Sequence, residues 1–315
     1  MTTHPRFSHT TRAHSFNTAA AQYAANRPSY PPALFTTLEE LAARPLKGAK
    51  VIDVGAGTGI ATTLLHARGA DVIAVEPGEG MAAEFRRAHP DIPLVRGTGD
   101  ALPLATASAD FLTYAQSWHW TNPAHSLPEA FRVLRPGGAL ALWWNTAALD
   151  VPWIAAQAQR IDQYFEGAHP TEEGTATKAE QGAAPKTEEG TATKAEQGAA
   201  PKTEEGTAPK TEEGTAPKTK KDTESSRRTA DFLTERAFKG APEPPPHTHR
   251  VVRWSRHVPV DTHLANIGSH SAFLILGKED TDAFLAEERT RLLETFPDGR
   301  VEEVYEVLVI VATRS

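Results

Sequence analysis

Residues 51–59 read VIDVGAGTG, a short run of β-branched and apolar residues that ends in three alternating glycines, Gly55, Gly57 and Gly59. The helical spacing of Ile60, Leu64 and Leu65 follows, in IATTLLHARG (residues 60–69), before Gly69 stops it. A buried strand, a glycine turn and a helix form the sequence signature of a nucleotide-binding crevice, and three ligand types compete for it. A triphosphate loop requires Gly-Lys-Ser/Thr at its end, whereas Gly59 is followed by Ile60-Ala61-Thr62. A dinucleotide fingerprint spaces its glycines as G-x-G-x-x-G; here the third glycine comes one residue early. Asp53, two positions ahead of the first glycine, would also repel a pyrophosphate in a partly desolvated site. It suits a ligand with a cationic group, and S-adenosylmethionine has two, an ammonium and a sulfonium.

Outward from this stretch, elements alternate. Residues 30–44, YPPALFTTLEELAAR, place Leu34, Leu38 and Leu41 at helical spacing behind two prolines. DVIAVE (71–76) is a second strand, MAAEFRRAH (81–89) a second helix of this part, IPLVRG (92–97) a third strand and ADFLTYAQ (109–116) a fourth. AHSLPEAFRVLRPGG (124–138) is expected to be a helix closed by its glycines, and ALALWWN (139–145) a fifth strand. Later, HRVVRWSRHVPV (249–260) reads as a strand. TDAFLAEERTRLLETF (281–296) reads as a helix with Phe284, Leu285, Leu292, Leu293 and Phe296 on one face, and VYEVLVIVATR (304–314) as a final strand. This alternation predicts an α/β fold, a mostly parallel sheet with helices on both faces and its ligand at the carboxyl ends of the strands. Asp53, Glu76, Asp100 and the run from Gln116 to Trp120 all fall at such ends. Glu76 is placed to accept both hydroxyls of a ribose, Met81 to flank an adenine, and Asp100 either to accept from the adenine amino group or to cap the next loop.

VIDVGAGTG, VIAVEPGEGM (72–81), GTGDALPL (97–104), ADFLTYAQSWHW (109–120) and AFRVLRPGGALALWWN (130–145), in this order, resemble the successive motifs of class I S-adenosylmethionine-dependent methyltransferases. FNTAAAQYAANRPSYPPALF (16–35) and SWHW (117–120) are similar to the small-molecule branch that includes trans-aconitate methyltransferase-like proteins. The resemblance spans residues 16–164 and, weakly, the last ninety or so. It implies a Rossmann-like, seven-stranded, mostly parallel sheet and S-adenosylmethionine as cofactor. It also implies a binding set of Tyr23, Arg27, Asp53, Gly55, Ala56, Gly57, Gly59, Glu76, Pro77, Met81, Asp100, Ala101 and Gln116. Within that set Asp53 and Gly55 would hold the methionyl end, Glu76 the ribose, and Met81, Asp100 and Ala101 the adenine. Tyr23 and Arg27 would close over the cofactor, with Arg27 also a partner for an acidic substrate. Trp118, His119 and Trp120 complete the substrate side, His119 being the one nearby group suited to act as a base. The rival readings are an NAD(P)-dependent oxidoreductase and a cofactor-binding protein without turnover.

Composition narrows the chain around this core. From Thr171, TEEGTATKAEQGAAPK occurs twice and TEEGTAPK twice, with no aromatic, Leu, Ile or Val to bury. A disordered low-complexity insert over 167–228 is therefore expected, between a core at 16–166 and a C-terminal part of the same domain at 229–315, with 1–15 a flexible N-terminus. The repeats carry −4 of the formal net charge of −7, so the remainder is mildly acidic and nucleic acid is not the expected partner. The 315 residues contain no cysteine, which closes thiolate metal sites and cysteine nucleophiles; no metal is expected. No apolar run approaches the roughly 20 residues of a membrane span, and residues 1–16 lack the apolar centre of a secretory signal, so no membrane partner and a cytoplasmic setting are expected. Arg27, His119, His125, Arg253, Arg256 and His257 are the cations assigned to the substrate side, pointing to a small organic acid as acceptor.

Overall fold

A computed structural model describes residues 24, 26–167, 224–241 and 243–315. The expected flexible N-terminus, Tyr23 and the repeats from Thr171 lie outside the described residues. Seven strands make one sheet in the order β3-β2-β1-β4-β5-β7-β6. They are β1 (Lys50–Val54), β2 (Asp71–Val75), β3 (Leu94–Val95), β4 (Ala109–Ala115), β5 (Leu134–Ala147), β6 (His247–Pro259) and β7 (Arg300–Thr313). The first five are mutually parallel, while β7 runs antiparallel to both β5 and β6. The order reverses between β1 and β4, so the crevice that a parallel sheet offers its ligand opens directly after VIDVG.

The central strands β1 and β4 bury both faces, which is why VIDV and DFLTYA are nearly continuous apolar runs and not alternating ones. One face is covered by α1 (Pro32–Ala42) and α2 (Ile60–Ala67), through Leu34, Phe35, Leu38, Ala61 and Leu65 against Val51, Trp143, Val307 and Val309. The other is covered by α4 (Pro123–Val133) and α6 (Glu224–Ala237), through Leu127, Ala130, Val133, Ala230 and Ala237. Between β2 and β3, α3 (Glu79–Ala88) packs Phe85 onto Ala74 and Ile92. A third cluster joins α5 (Pro152–Gly167), α7 (Val260–Gly268), α8 (Ser271–Leu276) and α9 (Lys278–Thr295) to Val258 and Val301.

Two expectations need correction. The helix expected over 124–138 starts at Pro123, one residue earlier, and stops at Val133; RPGG belongs to the start of β5. Pro136 disfavours a helical Arg135. The pairing then shifts between Ala109↔Leu134 and Phe111↔Ala139, with Gly137 at φ +73° absorbing the irregularity. Second, α6 begins at Glu224, inside the stretch expected to be disordered up to 228, and α5, α7 and α8 were not expected at all. On α9, Phe284 and Leu292 are buried as its pattern predicts, but the third buried residue is Glu288.

Candidate functional site

The three glycines of the turn do different work. Gly55 sits at φ +68°, where a side chain would place Cβ 2.5 Å from the Cβ of Ser117, and its amide donates to the Val75 carbonyl at 2.8 Å. Gly59, at φ +96°, caps α2 so tightly that a Cβ would meet the His89 ring at 2.7 Å. Gly57 also has positive φ, at +59°, yet a Cβ there would meet nothing within 4 Å. The backbone is thus bare at Gly57 and packed at the other two. Gly55→Ala combines a left-handed backbone with a steric overlap, so it is expected to cost roughly 1–3 kcal/mol or more of stability. Thermal melts of the variant measure this, and an unchanged melting temperature would show that the turn adjusts freely.

Asp53 is fully buried on the face of β1 beneath α2. Its Oδ2 accepts from the Thr62 hydroxyl at 2.6 Å and its Oδ1 from the Thr113 hydroxyl at 2.9 Å, so it ties β1 to both α2 and β4. Burial pushes its carboxyl up to about 6; the two threonine hydroxyls partly offset this, and Glu76 adds to it. The chain itself supplies the specific partners that a carboxylate inside an apolar strand requires. Neither threonine was singled out from sequence, although Thr113 carries the same signal as Asp53, a polar residue within a buried strand.

Glu76 is 6% exposed at the end of β2. Its Oε2 accepts from the Gly57 amide at 2.8 Å and its Oε1 from the Gly78 amide at 2.7 Å. Burial raises its pKa, against the pull of these two amides and of Arg96. Each oxygen retains acceptor capacity beyond these bonds. Ala56 donates its amide to the Val75 carbonyl alongside Gly55. Pro77 is exposed with its carbonyl held by Arg96, and Met81 is buried on the first turn of α3. Asp100 accepts from the Asn122 amide at 2.9 Å and so caps the approach to α4; Ala101 is exposed beside it in an isolated bridge to Thr98.

After β4 the chain turns abruptly. Gln116 adopts φ +59°, a costly conformation for a side chain other than glycine. Its amide nitrogen Nε2 donates to the Asn145 carbonyl at 3.1 Å, leaving Oε1 buried without a partner. The Tyr114 hydroxyl is likewise buried and unpartnered, and burial raises its pKa. Ser117 donates its hydroxyl to the Val54 carbonyl. Trp118, expected on the substrate side or as a core aromatic, packs in the core. It is 2% exposed, stands edge-on to Tyr114 and donates Nε1 to the Ala237 carbonyl at 2.6 Å, so it anchors α6 to the core. His119 and Trp120 are half-buried, their rings 4.7 Å apart.

The expected cations separate. Arg27 donates to the Ser269 carbonyl at the end of α7, joining the segment ahead of α1 to the C-terminal part. His125 and His257 are exposed. Arg253 is paired with Asp150 and Glu306, whereas Arg256, of opposite strand parity, lies on the α1 face opposite Glu303. Of the group, Arg256 alone is brought into a buried polar cluster, with residues of α7 and β7 that no sequence pattern indicated.

Residues 52–142 match the family model described as "Methyltransferase domain". An uncharacterized methyltransferase of Mycobacterium tuberculosis is 45% identical over 140 residues, 44% of this chain and 56% of the relative. A demethylmenaquinone methyltransferase of Beutenbergia cavernae is 40% identical over 107 residues, 34% of this chain and 44% of the relative. The chain spans just over half the length of the first of these relatives. A solved structure from Anaeromyxobacter dehalogenans, given as a candidate type II methyltransferase, superposes with a TM-score of 0.53 at 22% identity, covering 91% of this chain and 96% of its own, which speaks to the fold. With the strand order and the glycine turn described above, residues 52–142 are a methyltransferase domain of the class I, S-adenosylmethionine-dependent kind.

Proposed function

We propose that the protein transfers a methyl group from S-adenosylmethionine to an oxygen of a small, acid-bearing molecule. The observation that carries this reading is the cradle between β1 and β2: a backbone bare at Gly57, bordered by a buried Glu76 whose two oxygens are already oriented by the Gly57 and Gly78 amides. A ribose diol fits such a carboxylate, and the raised pKa of Asp53 shows a buried charge that a cationic ligand would favour in its ionised form. Met81, Asp100 and Ala101 would line the adenine end, Gly55 and Gln116 the methionyl end. Tyr23 and Arg27 belong to the closing segment in this reading.

When bound, the cofactor supplies an electrophilic methyl group on a sulfonium, so the acceptor needs only a lone pair in line with the breaking carbon–sulfur bond. The chain's task is alignment and exclusion of water. A carboxylate acceptor needs no base, while a hydroxyl requires one, and His119, half-buried after β4, would take that proton in this reading. The demethylmenaquinone methyltransferase among the relatives supports a small-molecule acceptor. A cytoplasmic setting belongs to the same reading; among the described residues no helix is long and apolar enough to cross a membrane.

The test is calorimetric binding of S-adenosylmethionine against NADH, followed by a labelled-methyl screen over free acids and their neutral amides. Binding of the first cofactor alone and turnover of acids is expected. With cofactor saturating, Arg27→Ala is expected to raise the KM of the acid several-fold. Preference for the amides would remove the acidic acceptor and leave methyl transfer standing.

A further inference from the structure

The α1 face of β6 and β7 carries a buried polar cluster that is left incomplete. Arg256 donates Nε to Glu303 Oε2, and His263 of α7 places Nδ1 2.7 Å from Glu303 Oε1. On its other side His263 Nε2 lies 2.9 Å from Gln157 Oε1. Gln157 is held in that orientation because its Nε2 donates to Glu288, which can only accept when ionised. Both nitrogens of His263 are therefore taken up within the cluster, between Glu303 and Gln157. Glu288 is neutralised separately by a two-bond contact with Arg160, at 2.5 and 2.7 Å. That leaves Arg256 and His263 together on Glu303.

Two of its atoms are buried with nothing to bond. Arg256 Nη2 is a donor without an acceptor, and Asn266 Oδ1 is an acceptor without a donor. Both side chains border the Tyr305 hydroxyl: Asn266 Nδ2 donates to it at 3.3 Å, and the Arg256 guanidinium acts on it alongside Glu303. Orphaned buried groups of this kind are rare. The cluster also continues the wall of the candidate site. Gln116, at the end of β4, bonds to the Asn145 carbonyl; Asn145 Oδ1 accepts from Trp254 Nε1 at 3.0 Å; and Trp254 stacks on Tyr305 with ring centroids 5.0 Å apart.

We infer that Arg256 and Asn266, framed by Tyr305, form a subsite for a carboxylate of the acceptor that bears a neighbouring hydroxyl. The carboxylate takes the free guanidinium N–H, and the hydroxyl donates to Asn266 Oδ1. Three strand steps separate β4 from β6, about 14 Å, so the anchored acid is a different group from the oxygen that is methylated. The acceptor is accordingly an elongated hydroxy acid, held by one end while its other end reaches the methyl group. This deepens the proposed methyl transfer and rests on it for the word acceptor, but the subsite itself can be tested without turnover.

The probe is L-malate as a fragment, measured by calorimetry on the full chain, beside succinate, which lacks the hydroxyl, and the neutral malamide. Native protein is expected to bind malate at least tenfold more tightly than malamide and several-fold more tightly than succinate. Arg256→Met should lose malate at least tenfold while keeping its affinity for S-adenosylmethionine. Should removing the partner of Glu303 unfold that variant, Arg256→Lys retains the charge beside Glu303 without the forked Nη2, and should still weaken malate about tenfold at a near-native melting temperature. Equal binding of malate and malamide, or malate affinity untouched in the folded Arg256 variants, would overturn the subsite; equal binding of malate and succinate would overturn the part given to Asn266. Failure of native protein to bind S-adenosylmethionine would instead remove the methyl-transfer reading and leave the malate result to stand by itself.

Discussion

Replacing Glu76 by alanine is expected to weaken S-adenosylmethionine binding by roughly 30- to 1,000-fold, equivalent to about 2–4 kcal/mol. Two losses add. The carboxylate would no longer accept the ribose hydroxyls, and the Gly57 and Gly78 amides, which it now orients at 2.8 and 2.7 Å, would lose their acceptor at the edge of the cradle. Glu76→Gln should be less damaging to the fold but nearly as damaging to binding, because its amide keeps only one oxygen for two amides and a diol. Calorimetry on both variants checks this. An affinity within threefold of native for Glu76→Ala would place the cofactor elsewhere.

Asp53→Asn is expected to abolish one component of the protein's pH dependence. The folded-state pKa of Asp53 lies at about 6, above its ordinary value of 3.8, so the native state binds the proton more tightly than the unfolded state does. Its contribution to stability is complete below pH 4, declines as pH rises through 6 and is absent above about pH 7. Two units correspond to about 3 kcal/mol. Glu76, also raised, acts in the same direction, while Asp110, Glu129 and Glu303 are lowered and act in the opposite one. The raw melting profile therefore mixes signs, and the informative quantity is the difference between native and variant. That difference should favour the native protein at pH 4 and shift toward the asparagine variant by pH 8, since Thr62 and Thr113 can rotate their hydroxyls to suit an amide. A flat difference from pH 4 to 8 would show that Asp53 is not burdened by its burial. S-adenosylmethionine affinity at pH 8 should also fall in the variant, through loss of the negative charge behind the turn.

The part of the site around β1, α2 and β2 was legible in the amino-acid sequence because its determinants are local. Positive φ at Gly55, Gly57 and Gly59 calls for glycine at those positions and for little else. A carboxylate at the end of a buried strand announces itself by its surroundings, as Glu76 does. Composition likewise marks the repeats after Thr171 as unable to build a core, since they hold nothing to bury.

Other features have no local signature. Trp118 could be assigned to the substrate from its neighbours His119 and Trp120, yet its indole nitrogen finds its acceptor 119 positions away on α6. Where RPGG stops being helix and becomes strand depends on the register of β5 against β4, which is a pairing and not a pattern.

What the sequence determined alone was the order of elements from α1 to β5, the glycine turn and the acidic ends of the strands, because hydrophobic period and backbone conformation are set by residues close together in the chain. Only the tertiary structure decided which polar groups meet. Asp53 finds Thr62 and Thr113, and Arg256 finds Glu303, because sheet pairing sets them side by side and burial forces each to satisfy its bonds with whatever the fold brings near. His263 and Glu303, 40 positions apart, and Gln157, a further 106 from His263, become one network only once α5 and α7 close over the end of β7.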